Sequence, residues 1–287
     1  MQENALSVNG LTKKYTDFLL DNVTFQVPKG TIVGLIGENG AGKSTTINAI
    51  LGLIKKDGGC VSVLGKTEQE LDCAVRENIG VVFDGNNFPE ELTPVRLNKV
   101  LRNIYHSWNE KKFFNLLEKF SLPTKKKIQN FSKGMKMKLS LAVALSHGTK
   151  LLILDEATSG LDPVMRDDIL DIFLAFVQDE DHAILVSSHI TSDLEKAADY
   201  IVFIHEGKVI FQKSKDELIY QYGIIKCGAA QFDAIDPKDI EAYRKQDYEY
   251  QVLVTDKSAV QKKYPKALID IPTIDEIMLL YIKGENK

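Results

Sequence analysis

The sequence has little cysteine, no long apolar run and no excess of positive charge. Its three cysteines, Cys60, Cys73 and Cys227, form neither a CxxC pair nor a Cys/His metal spacing, which disfavours a disulfide framework and favours a reducing compartment. No apolar run reaches the ~18 residues of a membrane-spanning helix, and residues 1–10 lack a signal-peptide pattern. A net charge of −4 disfavours a nucleic-acid partner. We therefore expect a cytoplasmic protein that reaches a membrane only through a partner.

What the sequence does contain is enough apolar material for a buried core, at 44% of 287 residues. Short apolar runs of the kind found in buried parallel strands lie at Thr31–Ile36, Ile79–Phe83, Leu151–Leu154 and Ile184–Val186. Apolar residues with helical spacing lie between these runs. One predicted helix contains Ile47, Ile50, Leu51 and Ile54 and ends before Gly58-Gly59, and another spans Asp167–Val177. Strands that alternate with helices predict an α/β fold.

Further regions lie between these runs or beside them. The alternation of Val23, Phe25 and Val27 predicts an antiparallel β subdomain, and residues 86–148 carry helical spacing that predicts a helical subdomain. Glu206-Gly207 predicts a hairpin turn between strands at Ile201–His205 and Lys208–Gln212. The remaining pattern predicts a strand at Tyr248–Thr255 and a helix at Thr273–Ile282. We expect a larger α/β domain at 1–221 and a small α+β accessory domain at 222–287.

One glycine-rich segment, Gly37-Glu38-Asn39-Gly40-Ala41-Gly42-Lys43-Ser44, matches the phosphate-loop motif GxxxxGK[ST] in full. It follows a predicted strand and opens a predicted helix, so backbone N–H groups and the helix N-terminus can cradle phosphate oxygens. Lys43 is expected to reach the β- and γ-phosphates, the Ser44 hydroxyl to bind Mg²⁺, and Thr45 to add a phosphate contact. These features predict binding of a nucleoside triphosphate with Mg²⁺.

A pair of carboxylates, Asp155 and Glu156, ends the apolar run at Leu151–Leu154. Unpaired buried carboxylates are costly, so we expect both at the exposed carboxyl end of the strand, beside a cation. Asp155 is then a candidate Mg²⁺ ligand. Glu156 is a candidate general base for an attacking water.

The ordered set of motifs resembles the ATP-binding subunits of ABC transporters over about residues 4–220. Phe131-Ser132-Lys133-Gly134-Met135 stands where that family has its LSGGQ signature, just ahead of a helix. The remaining motifs are similar to the D-loop, the switch histidine and the adenine-stacking aromatic, and they lie at Ser159-Gly160-Leu161-Asp162, His189 and Tyr15.

The resemblance implies an ATP-hydrolysing subunit that works as a dimer, most simply a homodimer, with separate transmembrane permease subunits. Two ATP molecules are then sandwiched head to tail, each between the phosphate loop of one subunit and the signature of the other. Ser132 and Gly134 are implied to contact the γ-phosphate in trans, with Asp162 beside the nucleotide. His189 is implied to contact the same phosphate from the Glu156 side.

The chain departs from the family pattern at two places. Phe131, Lys133 and Met135 replace the usual leucine, glycine and glutamine of the signature, in a form that resembles bacterial exporters of antibiotics and of antimicrobial or cytolytic peptides. Asp84 stands where the family has the Q-loop glutamine, and it is either a metal- and permease-sensing residue or a residue that caps a turn.

Several of these features have an alternative interpretation. His189 is otherwise a satisfied strand-end histidine, and Tyr15 is otherwise a core residue. A soluble ABC ATPase of translation or DNA repair would be expected to carry two ATPase halves or a long coiled-coil insertion. A kinase or GTPase with a phosphate loop would give no account of the Ser132 motif.

Overall fold

A computed structural model of the chain describes residues 3–85, 88–247 and 249–285. The strands are β1 Asn4–Lys14, β2 Leu19–Pro28, β3 Ile32–Ile36, β4 Gly58–Val63, β5 Lys66–Thr67, β6 Ile79–Val82, β7 Leu151–Asp155, β8 Ala183–Ser188, β9 Tyr200–His205, β10 Lys208–Ser214, β11 Gly223–Cys227, β12 Ala242–Lys245, β13 Tyr250–Val254 and β14 Ile269–Asp270. The helices are α1 Lys43–Ile50, α2 Cys73–Arg76, α3 Pro94–Leu101, α4 Glu110–Lys119, α5 Lys133–Ala144, α6 Pro163–Phe176, α7 Thr191–Ala197, α8 Ala229–Asp233, α9 Lys257–Lys263 and α10 Ile274–Lys283. Among these described helices, none is both long and apolar enough to cross a membrane.

A central sheet with strand order β10-β9-β3-β8-β7-β6 organises the chain. The strands from β9 to β6 run parallel, whereas β10 pairs antiparallel with β9. Every residue of β3 is buried, as expected for a parallel strand covered on both faces. The sheet therefore brings the carboxyl ends of β3, β7 and β8 to one edge, although these strands are far apart in sequence.

An antiparallel sheet with order β2-β1-β4-β5 covers one face of the central sheet. Alternate residues of the central strands, such as Val33, Ile153 and Leu185, share one apolar cluster with this sheet and with Ile47 of α1. The predicted antiparallel β subdomain corresponds to this sheet, and the hairpin predicted at Glu206-Gly207 joins β9 to β10.

Helices cover the other face of the central sheet. Ile32, Leu152 and Val186 point into a second apolar cluster, which includes side chains of α3, α4, α5, α6 and α7. Within the predicted helical region, the described residues 88–148 contain α3, α4 and α5 and no strand, while residues 86 and 87 lie outside the described part.

The C-terminal residues form a third sheet, with order β12-β13-β11-β14, that contains only antiparallel pairs. One side of this region has an apolar cluster of its own, around Val252 and Phe232. The other side joins the helical face of the ATPase core, because Tyr222 and Ile277 belong to the second cluster and the backbone N–H of Ile274 donates to Glu195 Oε1 of α7 at 2.7 Å. The accessory region is thus packed onto the core, and the boundary at residue 222 stays a prediction.

Two predicted helix ends are wrong. The helix predicted to reach Ile54 ends at Ile50, because Gly52 takes a left-handed conformation (φ 70°) and turns the chain, while Ile54 still packs on the core. The helix predicted from Asp167 begins at Pro163, because Asp162 caps its first turn and proline suits that position. The strand predicted at Tyr248–Thr255 is β13, Tyr250–Val254, and Tyr248 lies outside the described residues.

Candidate active site

A cavity of about 570 Å³ opens at the edge of the central sheet where its parallel strands end. It collects side chains and backbone from the phosphate loop, the loops after β6, β7 and β8, and the turn before β2. The lining residues are Phe18, Asn39, Gly40, Gly42, Lys43, Ser44, Thr45, Asp84, Glu156, Ser159 and His189. Most of the predicted phosphate-loop residues therefore meet in one place with Glu156 and His189, while Gly37 and Ala41 of the same loop lie outside the described lining.

The phosphate loop leads directly into α1. Gly42 is the N-cap of α1 and has φ 111°, a conformation that a side chain would strain. A Cβ atom there would also stand 2.9 Å from Phe18 Cζ, so glycine is required on two grounds. The unpaired N–H groups at the start of α1 and its dipole make this end of the cavity an anion site.

Lys43 is the cation of this site, and its side chain is only 5% exposed. Its ammonium donates to the carbonyl oxygens of Gly37 at 2.8 Å and Glu38 at 3.1 Å, and it lies 3.4 Å from Glu156 Oε1. A buried charge requires such partners. A triphosphate in the cavity would supply a stronger one, which matches the role predicted for Lys43 at the β- and γ-phosphates.

Glu156 occupies an unusual backbone conformation, with φ 53° in a residue that is not glycine. Its N–H donates to Ser187 Oγ at 3.0 Å, and Ser187 Oγ donates to Asp155 Oδ1 at 2.6 Å. The carboxylate also lies 2.5 Å from His189 Nδ1. The turn after β7 therefore directs Glu156 into the cavity, between Lys43 and His189.

The metal donors predicted from the sequence fit Mg²⁺ bound together with a nucleotide. Ser44 and Asp84 line the cavity, and Asp155 ends β7 beside it. In the described ranges, no group of three or more His, Cys, Asp or Glu side chains would hold a metal ion by itself. Mg²⁺ commonly takes one or two protein oxygens and completes its coordination with substrate phosphates and water, so this sparse donor set suits it.

Three predicted nucleotide contacts, Ser132, Gly134 and Asp162, are absent from the described lining of this cavity. Ser132 caps α5 by accepting the N–H of Met135 at 3.2 Å, and Asp162 Oδ1 caps α6 by accepting the N–H of Met165 at 3.0 Å. A Cβ atom on Gly134 would overlap Met165 Sδ, so the glycine lets α5 approach α6 closely. Ser132 and Asp162 are exposed and form a second surface at the adjacent N-termini of α5 and α6, where Gly134 is buried between the two helices.

Two residues at the site had no role predicted from the sequence, Phe18 and Ser187, whereas Ser159 of the predicted D-loop lines the cavity. Ser187 orients Asp155 and Glu156, and its only sequence signal is its position two residues before His189. Phe18 packs against Gly42 and lines the cavity, and no motif indicates it.

Tyr15 lies three residues away in the same turn, where its N–H donates to the Phe18 carbonyl at 2.8 Å. The Tyr15 ring is 49% exposed, with Lys13 Nζ 5.4 Å from its centroid, so its predicted adenine stack stays a prediction.

Tyr15→Ala is expected to weaken binding of ATP and ADP alike by ~1–2 kcal/mol, the scale of an aromatic stack on a base. Turnover at saturating ATP should change little, because the phosphate contacts remain. Titration with a fluorescent adenine nucleotide measures the effect, and Tyr15→Phe, which keeps the ring, is the control. Unchanged affinity in Tyr15→Ala together with a loss in Phe18→Ala would transfer the stacking role to Phe18.

Known proteins resemble this chain over most of its length. The ABC transporter family profile matches residues 20–159. The lantibiotic transport ATP-binding protein SrtF of Streptococcus pyogenes is 36% identical over 214 residues, which is 74% of this chain and 91% of that protein. The ABC transporter ATP-binding protein YtrB of Bacillus subtilis is 29% identical over 280 residues, or 94% of each chain. A solved ATP-binding subunit of an ABC transporter superposes with a TM-score of 0.68 at 31% identity, covering 75% of this chain and 91% of that one.

The fold and the site define a phosphate-loop ATPase. Within that class, the chain belongs to the ABC transporter family, as an ATP-binding and ATP-hydrolysing subunit. The family, the α/β phosphate-loop fold and the ATPase activity expected from the motifs are thereby confirmed. The roles of the individual site residues stay predictions.

Proposed function

We propose that two copies of this chain close head to tail on two Mg²⁺-bound ATP molecules and drive export through a separate permease. The observation that carries the proposal is the division of the predicted nucleotide contacts between two surfaces. Lys43, Glu156 and His189 line the cavity, whereas Ser132 and Gly134 lie at the start of α5. A second subunit would bring its α5 N-terminus to the γ-phosphate and complete the site.

Within the closed site, the residues of this chain take separate roles. Mg²⁺, when bound to the phosphates, would supply positive charge that stabilises the transferring phosphoryl group. Lys43 binds the phosphates from the floor of the cavity. Glu156 accepts a proton from the attacking water at its carboxylate, while Ser187 fixes the backbone that carries it and His189 holds its other oxygen. Loss of the γ-phosphate then removes the contact to the partner subunit's signature, and the dimer reopens.

The permease supplies the membrane path, and the ATPase subunit attaches to it on the inner face of the cell membrane. In support, the relative SrtF is named for lantibiotic transport. The signature segment Ser132-Lys133-Gly134-Met135 resembles the signature of exporters of antimicrobial peptides. A peptide antibiotic is therefore the class of cargo that we propose, with the permease choosing the individual compound.

Co-purification tests this proposal. The tagged chain, extracted with mild detergent from its own cells, should bring down a hydrophobic permease, and the reconstituted complex should hydrolyse ATP faster when its peptide cargo is added. A complex that carries Glu156→Gln is the control, because it should assemble without showing stimulation. Recovery of the chain from membranes and cytosol with no integral membrane protein attached would contradict the proposal.

A further inference from the structure

Two of the residues that depart from the family pattern, Asp84 and Lys133, are in direct contact. Lys133 Nζ lies 2.8 Å from Asp84 Oδ1. The first residue follows β6 and replaces a glutamine, and the second opens α5 and replaces a glycine. The pair therefore joins the loop that lines the ATP cavity to the signature segment. A glutamine and a glycine at these positions carry no charge and could not form this ion pair.

Lys133 also stands at the surface that we propose to meet a second subunit. It is the first residue of α5, between the cap Ser132 and Gly134. A Cβ atom on Gly160, in the segment before α6, would be 3.3 Å from Lys133 Nζ, so the ammonium lies beside that loop as well. A long, flexible side chain at this position has its charge within reach of any group that approaches the N-terminus of α5.

The ion pair between Lys133 and Asp84 is weak. The side chains of Lys133 and Asp84 are 50% and 49% exposed, and ion pairs at such positions contribute little to stability. A γ-phosphate carries more negative charge than one carboxylate, and closure of two subunits would remove water from the contact. Charge-assisted hydrogen bonds are shorter and stronger in that setting. Transfer of the ammonium from Asp84 to a phosphate is therefore favourable.

We propose that Lys133 is a nucleotide-binding residue that acts across the dimer. While the subunits are apart, Asp84 of the same chain holds its ammonium. On closure, the ammonium moves to the γ-phosphate of the ATP bound by the partner subunit, between the contacts from Ser132 and Gly134. This inference rests on the proposed head-to-tail arrangement. It adds a cation to a signature that in the family pattern offers only a hydroxyl and backbone N–H groups.

A simpler role for the contact would be a tether that fixes α5 against the loop after β6. The two roles differ in whether the effect of Lys133 depends on Asp84. A tether is lost once either partner is removed, so Lys133 would have no further effect in a chain that lacks the Asp84 charge. A phosphate contact in trans persists whatever residue stands at position 84.

The test is a double-mutant cycle on ATP-dependent dimerisation, measured by sedimentation velocity in full-length Glu156→Gln protein, where hydrolysis does not reopen the dimer. Lys133→Ala is compared with the parent both with Asp84 present and in an Asp84→Gln background. We expect Lys133→Ala to weaken dimerisation by about 10- to 100-fold in both backgrounds, as for loss of a hydrogen bond to a charged group. Lys133→Arg should retain most of the affinity.

Lys138→Ala is the matched control, because Lys138 lies on the same helix and pairs with Asp168 at 3.1 Å. It should leave dimerisation unchanged. An effect of Lys133→Ala that disappears in the Asp84→Gln background would assign a tether and overturn the inference, as would equal dimerisation of Lys133→Ala and its parent. If the Glu156→Gln parent itself stays monomeric with ATP, the head-to-tail arrangement fails instead.

Discussion

ATP turnover by Glu156→Gln is expected to fall by about 10²–10⁴-fold, the usual cost of losing a general base, while ATP binding stays close to normal. Glutamine keeps the size of the side chain and can still contact His189 and Lys43. It lacks a carboxylate that takes up a proton. The variant should therefore bind ATP, close with a second subunit and remain closed.

The geometry favours Glu156 over its neighbour Asp155 for the proposed role of general base. Its left-handed backbone directs the carboxylate into the cavity, and Ser187 holds its N–H at 3.0 Å. Asp155 comes from the same turn, but its Oδ1 accepts the Ser187 hydroxyl at 2.6 Å. The prediction for Glu156 therefore rests on the position of its carboxylate in the cavity.

Phosphate release and nucleotide titration on the same preparation separate the two effects. Glu206→Gln is a suitable control, because Glu206 also has a left-handed backbone (φ 46°) and lies outside the described lining of the cavity. It should leave turnover unchanged. Turnover of Glu156→Gln near the parent rate, with ATP binding intact, would assign the base to another residue.

The local pattern of the sequence predicted most elements of the core, because each buried parallel strand is an apolar run bounded by polar residues. The ends of α1 and α6 were predicted poorly. Helical spacing continues from Ile47 to Ile54 and hides the turn at Gly52, and the apolar pattern of α6 is clear only after Asp167. Caps and left-handed residues set these ends, and periodicity does not report them.

The candidate site was also predicted only in part from the sequence. Motifs with fixed spacing placed Lys43, Ser44 and Glu156 together, because strand ends at one edge of a parallel sheet must converge. The partnership of Ser187 with Asp155 was not predicted, since it depends on β7 and β8 being neighbours in register. The contact between Asp84 and Lys133 was likewise missed, because it depends on how α5 packs beside β6.

The accessory region shows where sequence patterns stop being informative. The sequence pattern predicted a separate accessory domain at 222–287. In the fold, the Tyr222 ring is buried in the core cluster, and the start of α10 is tied to Glu195 of α7. Periodicity identifies an apolar face but does not say which surface covers it.

Lys43→Ala and Ser132→Arg are expected to abolish activity in different ways, and the difference tests the arrangement of the dimer. Lys43 lies in the cavity, so its loss should weaken ATP binding by each monomer by about 10- to 100-fold, the range for a hydrogen bond to a charged group. Ser132 lies on the second surface, outside the described lining of that cavity, so Ser132→Arg should leave monomer affinity unchanged. It should block ATP-dependent dimerisation, because the arginine side chain fills the space between α5 and the partner's nucleotide.

Ser132 also caps α5 through the N–H of Met135, and loss of a cap commonly costs ~0.5–2 kcal/mol of stability. Ser132→Thr keeps the cap and the hydroxyl and should dimerise normally, and thermal unfolding of all three variants separates a folding defect from a closure defect. Monomer affinity is measured by nucleotide titration at low protein concentration, and closure by sedimentation with ATP. Equal loss of monomer ATP binding in Lys43→Ala and in folded Ser132→Arg would place both residues at one site in cis. A selective loss of closure in Ser132→Arg requires the signature of one subunit to act on the nucleotide of the other.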